Sequence, residues 1–192
     1  MDALLNLFTA FGLSSSAGLN AYIPLLVTGL MARYTDLLTL SGPFEALENP
    51  WVLLTLAVLL LVEMLVDKIP AVDSVNDVIH SVIRPAAGAI LFAANTGAVT
   101  FLDPTLAVVL GLLAAGSVHA TKTVARPVVT ASTAGVGNPA VSFIEDVISF
   151  FASLLAIVVP LVMGVVGIFL FLLIARWWWR RRNEPLSGDV TL

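Results

Sequence analysis

A series of apolar runs, too long for a soluble domain, constrains this chain more than any other feature. The stretch Leu161–Ile174 contains no polar side chain, and a transmembrane helix needs roughly 20 predominantly apolar residues. Only 11% of the residues are charged, whereas soluble domains carry about 25%. The chain is therefore expected to be an integral membrane protein.

Composition also excludes several kinds of chemistry. The sequence has no cysteine, which excludes disulfides, thiolate metal sites, iron–sulfur clusters and cysteine nucleophiles. A net charge of -4 gives no support to a nucleic-acid partner. Phosphate-binding loops, dinucleotide fingerprints and the HExxH metal motif are missing from the sequence, so no cofactor is expected and a non-enzymatic role is favoured. Two histidines among many carboxylates leave metal binding open.

Three apolar stretches predict membrane-spanning helices. They are Trp51–Val66, extended by residues 67–69, then Thr105–Thr121, and Phe150–Arg176, which includes Pro160. Together with two interrupted stretches they predict an all-α, polytopic membrane helix bundle. The sequence leaves the number of crossings between four and six.

The two interrupted stretches predict broken or re-entrant helices. Ala3–Arg33 contains the run Gly12–Gly18, and Pro85–Phe101 contains Gly88, Asn95 and Gly97. Runs of glycine and serine break helices, and broken backbone within a membrane persists only where protein or a water cavity surrounds it. The alternative is that these small residues serve close helix packing.

Basic residues predict the orientation of the chain. Tyr34–Pro50 carries no lysine or arginine, whereas four arginines and three tryptophans lie within Arg176–Arg182. Under the positive-inside rule the C-terminus is cytoplasmic. The integral membrane domain is expected over residues 1–182, with a disordered cytoplasmic tail over residues 183–192. Lys68, Arg84 and Arg126 are candidates for snorkelling to the cytoplasmic interface.

An internal repeat relates Pro70–Ile79 to Pro139–Ile148, with six identical positions. On a helix, the polar residues of the first copy share one face: Asp73, Asn76, Asp77, His80 and Arg84. The second copy repeats the spacing: Ser142, Glu145, Asp146, Ser149 and Ser153. Each copy predicts a helix opened by proline, and the two acidic stripes are expected to face each other within the lipid. The alternative is two amphipathic helices lying in the membrane interface.

Charged residues in or beside the apolar helices form the candidate site. A charge at the bilayer centre costs between about 2.5 and 17 kcal/mol, so such residues are expected to be paired, hydrated or functional. His119, Lys122 and Arg126 share one helix face, which could meet Glu145–Asp146 or Asp73–Asp77. The predicted polar path contains Asn20, Glu63, Asp67, Asp73, Asp77, His80, Arg84, His119, Lys122, Arg126, Glu145 and Asp146.

Three motifs resemble a family of small bacterial integral-membrane proteins known only as a domain of unknown function. The first motif is Gly18–Leu26, and the second is Asp67–Asp73 followed by His80 and Ile83–Ala89. The third consists of His119, Lys122, Arg126, Ser142 and Glu145–Val147. The resemblance covers roughly residues 7–174. It implies a compact helical domain in the bacterial cytoplasmic (inner) membrane and carries over no activity.

The duplicated acidic stripes favour a small secondary transporter or lipid flippase, since such proteins are built from two related halves with interrupted helices. Asp77, Glu145 and Asp146 would carry protons or cations, and the two histidines would relay protons. The expected partners are membrane lipids and a small ion or an anionic lipid, while a homo-oligomer is left open. The alternatives are an intramembrane lipid-modifying enzyme and a non-catalytic membrane scaffold.

Overall fold

The computed structural model describes residues 2–66, 70–96 and 102–182. Asp67, Lys68 and the predicted tail lie outside these ranges, as do the side chains of residues 70–77. The described elements, in chain order, are α1 (Asp2–Leu19), α2 (Tyr22–Tyr34), the 3₁₀ turn Gly42–Glu48, α3 (Pro50–Val66), α4 (Pro70–Thr96), α5 (Pro104–Thr133), α6 (Asn138–Val158) and α7 (Pro160–Arg182). Over these ranges every regular element is helical, which confirms the all-α prediction.

Four helical segments are long and apolar enough to cross a membrane. They are Val78–Asn95, Pro104–Thr133, Asn138–Val158 and Pro160–Trp177. The 3₁₀ turn and α3 form a pair bent by 65° that would make a fifth. The molecule is therefore a membrane-spanning helical protein.

Prolines define where most of the long helices begin. Pro50, Pro70, Pro104 and Pro160 are the first residues of their helices, and Pro139 is the second residue of α6. Proline suits the first helical turn because the missing N–H would lack an intrahelical acceptor there. The prediction that both repeat segments form helices opened by proline is thus confirmed.

Asp103 strengthens the start of α5. Its Oδ1 atom accepts hydrogen bonds from the N–H groups of Thr105, at 2.8 Å, and Leu106, at 3.3 Å. These bonds to Thr105 and Leu106 hold the pKa of the exposed Asp103 carboxyl below its usual range, because they favour the ionised form.

The prediction of a single span over Phe150–Arg176 is wrong. The chain leaves the helical conformation at Val159 (φ -136°, ψ 66°), and Pro160 begins a new helix. Proline disfavours the α conformation in the residue before it. Two helices, each long enough to cross, therefore replace the one that was expected.

The predicted break within Gly12–Gly18 was misplaced, and no break occurs at Gly88 or Asn95. Gly12–Gly18 lies wholly within α1, and the interruption falls just after it, at residues 20–21. Residues 85–96 continue α4 through Pro85, and residues 97–101 lie outside the described ranges. The alternative of close packing through small residues is correct for Gly12, Gly18 and Gly88, whereas the predicted break at Gly97 lies outside the described residues.

Helix α1 lies at the centre of the bundle, packed against α4, α5, α6 and α7. Its hydroxyl groups bond to backbone carbonyls of its neighbours: Thr9 Oγ1 donates to Ala156 O at 2.9 Å and Ser14 Oγ to Gly88 O at 2.8 Å. In the reverse direction, Ser149 Oγ donates to Ser16 O at 3.1 Å. Such bonds join helices in lipid, where the hydrophobic effect gives no net attraction.

Glycines set the closest approach between α4 and α5. A Cβ atom at Gly88 would collide with Ala115 Cβ and lie 2.7 Å from Gly111 O, whereas one at Gly167 in α7 would meet nothing within 4 Å. The backbones of α4 and α5 therefore approach closely at Gly88 and Gly111, leaving no space for a larger side chain.

We expect Gly88→Val to destabilise the protein by about 1–3 kcal/mol or more, because overpacking forces the backbones apart. Thermal unfolding in detergent would measure the loss. Gly167→Val is the matched control and should unfold at the wild-type temperature. Equal unfolding temperatures for both variants would show that the α4–α5 contact is not tight.

Candidate functional site

Four titratable side chains from three helices form a buried inner cluster, which consists of Glu63, His80, Arg84 and His119. Glu63 Oε1 lies 2.9 Å from His80 Nδ1 and 3.1 Å from Arg84 Nη2. Arg84 Nη1 lies 3.1 Å from His119 Nδ1. The side chains of Glu63 and Arg84 are only 2% and 1% exposed. This cluster is therefore sealed from the surroundings.

The inner cluster is not fully satisfied. Glu63 Oε1 meets both partners, while Glu63 Oε2 and Arg84 Nε are buried and have no hydrogen-bond partner among the described atoms. The ring of Tyr22 stands edge-on to His80, with ring centroids 5.9 Å apart. A carboxylate oxygen left free at the centre of a bundle can accept a proton or a water molecule.

A second, outer cluster joins α5 to α6 and consists of Lys122, Arg126, Glu145 and Asp146. Lys122 Nζ lies 2.6 Å from Glu145 Oε2, and Arg126 Nη2 lies 3.8 Å from the same oxygen. The Glu145 side chain is 14% exposed. The outer cluster is therefore more accessible than the inner one.

The break between α1 and α2 lies beside the outer cluster. Asn20 Oδ1 accepts hydrogen bonds from the N–H groups of Tyr22, at 2.9 Å, and Ile23, at 3.1 Å. Asn20 Nδ2 donates to Asp146 Oδ1 at 2.9 Å, and the Leu19 carbonyl accepts from Lys122 Nζ at 3.3 Å. Asn20 and Lys122 therefore tie the interrupted helix to α6 and α5.

Helix α5 connects the two clusters. His119 and Lys122 are three residues apart on one face, and the charges of Arg84 and Lys122 are close enough to interact. With neutral histidines, the three acids Glu63, Glu145 and Asp146 balance the three bases Arg84, Lys122 and Arg126. The result is a polar line of zero net charge running from the more exposed Glu145 to the sealed Glu63.

Nine of the twelve predicted site residues come together in this line. Of the others, Asp67 lies outside the described residues, as do the side chains of Asp73 and Asp77. The expectation that the basic face of α5 meets Glu145–Asp146 is confirmed by the Lys122–Glu145 pair. That the nine residues form a transport path stays a prediction.

The snorkelling alternative is wrong for two of its three residues. Arg84 and Arg126 are buried within the bundle and lie close to carboxylates. Their guanidinium groups are therefore enclosed by neighbouring helices rather than extended along the outer surface of the bundle. Lys68, the third candidate, lies outside the described residues.

The buried parts of the two repeat stripes meet other helices. Arg84 bonds to Glu63 in α3 and to His119 in α5, whereas Ser149 bonds to α1. The C-terminal parts of both stripes point into the protein, since His80 and Arg84 are buried and so are the equivalent Ser149 and Ser153. Whether Asp77 and Asp146 face each other stays a prediction.

Sequence reasoning missed two features of the site. Tyr22 was not identified, although it stands two residues after Asn20 in the first motif. The Leu19 carbonyl was also missed, because no side chain marks a backbone acceptor. Over the described ranges, no three histidine, aspartate or glutamate side chains group as a metal-binding set would require.

Apolar helices around a line of buried ion pairs define a multi-pass helical membrane protein. The chain belongs to the family described as Domain of unknown function (DUF4126), whose model matches residues 7–181. No curated protein and no solved structure matches the chain significantly. The family named from the three sequence motifs is thus confirmed, and its description assigns no activity.

We expect Glu63→Ala to cost about 3–5 kcal/mol of stability, since it leaves Arg84 buried without its counter-charge. Replacing both residues together, Glu63→Met with Arg84→Met, should restore most of the loss because neither charge then remains. Chemical unfolding in detergent would give both values. Thr55→Ala on the exposed side of α3 is the control. A stable Glu63→Ala protein would contradict the assigned pairing.

Proposed function

We propose that this protein is a small proton-coupled secondary transporter, and that its cargo is an anion with phosphate or carboxylate chemistry, free or in a lipid headgroup. The observation that best supports this proposal is the line of balanced charges beside the break between α1 and α2. Transporters commonly place ion and substrate sites where interrupted helices end near the bilayer centre. Here the ends of α1 and α2 contact both α5 and α6.

Buried polar atoms without hydrogen-bond partners in the inner cluster support a transport role over a purely structural one. Structural ion pairs gain from complete hydrogen bonding, because a buried, unpaired polar atom is costly. Glu63 Oε2 and Arg84 Nε nevertheless lack partners among the described atoms. A site that must exchange protons needs such free positions, and a scaffold does not.

Charge balance supplies the coupling. Protonating Glu145 removes the counter-charge of Lys122 and Arg126 and leaves one excess positive charge. An anion entering beside these bases restores neutrality, so the proton and the anion are stabilised together inside the low-dielectric bundle. Asp146 would act in the same way, and Asp77 would do so for the first repeat helix.

The inner cluster would receive the proton next. Imidazole has two nitrogens, so His119 and His80 can accept a proton at one and release it at the other. Arg84 bonds to both His119 and Glu63, and His80 contacts Glu63 directly. The free oxygen of Glu63 would be the innermost proton acceptor of the line. Arg84 would also help to neutralise the anion.

The orientation belongs to the same proposal. Arg176 and Arg180 flank Trp177 and Trp179 at the end of α7, an arrangement typical of an aromatic belt with a cytoplasmic basic anchor. We propose a location in the bacterial inner membrane with the C-terminus in the cytoplasm and with membrane lipids as neighbours.

In proteoliposomes with a trapped pH-sensitive dye, we expect an imposed proton gradient to drive the uptake of one of two probes. Inorganic phosphate tests a free anion, and fluorescently labelled phosphatidylglycerol tests movement of a lipid headgroup between leaflets. Glu145→Gln should lower the driven rate at least about tenfold, because one lost proton carrier can cost several kcal/mol.

Glu48→Gln, at the end of the 3₁₀ turn before α3, is the matched control and should transport at the wild-type rate. If wild-type vesicles neither take up phosphate nor move the labelled lipid between leaflets, the proposal that the protein transports such an anion is wrong. If Glu145→Gln transports normally, the outer cluster is not the coupling site.

A further inference from the structure

Lys122 places its ammonium group at the end of an interrupted helix. Its Nζ atom lies 3.3 Å from the carbonyl oxygen of Leu19, the last residue of α1, and 2.6 Å from Glu145 Oε2. The side chain is only 4% exposed. A buried cation thus rests on one backbone carbonyl and one carboxylate.

This donor set is one that favours a small monovalent cation. Carbonyl groups at a helix C-terminus carry the negative end of the helix dipole, and hard cations prefer carboxylate and carbonyl oxygens. In transporters with broken helices, the C-terminal ends of half-helices coordinate the coupling Na⁺. Here the cation at that place is covalently attached to α5.

We propose that the Lys122 ammonium is a built-in substitute for a coupling cation, and that removing it exposes a binding site for a small cation at the α1 terminus. The inference rests on the proposed function in one respect: a fixed cation at this place leaves the proton as the coupling ion. The site itself follows from geometry alone.

The charge left behind explains why a cation would enter. Without Lys122, Glu145 keeps Arg126 at 3.8 Å, and the Leu19 carbonyl loses the ammonium that bonds to it. Asp146, bonded to Asn20, adds a further carboxylate at the same break. The outer cluster then contains two acids and one base, so binding one monovalent cation restores the balance.

The shape of the vacated space identifies the best probe. Lys122→Ala keeps Cβ and removes three methylene groups and the ammonium, which together have the composition of propylammonium. Choline is a control of equal charge, but its quaternary nitrogen has no N–H to donate to Leu19 O or Glu145. A specific binding site would let propylammonium stabilise the variant more than choline does. Nonspecific screening of charge would give the same effect with both ions.

The experiment is thermal unfolding of purified Lys122→Ala in detergent at constant ionic strength, in propylammonium, sodium or choline chloride. We expect propylammonium to raise the unfolding temperature by about 5 °C at a hundredfold excess over its Kd, and sodium to give a smaller rise. Wild-type protein should unfold at one temperature in all three salts, because Lys122 already fills the site.

Two variants complete the test. Lys122→Ala with Glu145→Gln should lose the response, because the carboxylate is gone, and Thr121→Ala on the exposed side of α5 should behave as wild type. If Lys122→Ala is recovered folded only in propylammonium, the proposal is supported. Equal effects of propylammonium and choline, or recovery in neither, would overturn it.

These readouts separate the site from the transport function. If propylammonium selectively stabilises Lys122→Ala but the wild-type protein moves no protons, the cation site is supported and its role in coupling is wrong. Proton-driven uptake by wild-type protein together with no selective response would retain the transporter and exclude the substitution of Lys122 for a cation.

Discussion

The pairing of Glu63 with Arg84 inside the bundle is the interaction on which the rest of the structure depends. An unpaired charge in lipid costs between about 2.5 and 17 kcal/mol, which is comparable to the whole stability of a typical domain. Helices α3 and α4 must therefore adopt the register that brings these side chains to 3.1 Å. Arg84 then fixes α5 through His119, and Lys122 fixes α6 through Glu145. Charge pairs thus select which helices are neighbours.

Small side chains make that arrangement sterically possible. Helix α1 occupies the centre because Ala10 and Ala17 present almost no bulk, and both are fully buried. Gly12 and Gly18 let its backbone approach α6 and α5 closely. Dispersion and hydrogen bonds grow with such proximity, and in lipid they take over the role that the hydrophobic effect has in water. The centre of the bundle is therefore dense, and the buried charged side chains of the described residues lie along the line beside the break.

Local patterns predicted the helices well and their interruptions poorly. Apolar runs and prolines are properties of a short stretch, so the helical nature of Pro70–Ile79 and Pro139–Ile148 could be inferred from sequence. Gly12–Gly18 was misjudged because its conformation is decided by the helices packed around it. Acid–base complementarity limited the predicted partners of Lys122 to two acidic pairs, Glu145–Asp146 and Asp73–Asp77. The contact with Glu145 is determined by how α6 packs, which the sequence does not show. Nothing near Glu63 in the sequence indicates that its partners lie seventeen and twenty-one residues further along, on the next helix.

The helix pairs α3–α4 and α5–α6 carry their paired acids and bases in opposite order along the chain. In α3–α4 the acid precedes the base, and in α5–α6 the bases precede the acid. In each pair an acid contacts a base, and α5 contacts both pairs through His119 and Lys122. Under the proposed mechanism, a proton on Glu145 together with an anion beside Lys122 gives a second compensated arrangement, while Arg84 remains paired with Glu63. Packed interfaces adopt discrete arrangements rather than deforming continuously, so under this proposal the proton and the anion enter together. A line of balanced charges beside a broken helix is therefore suited to moving a proton and an anion together.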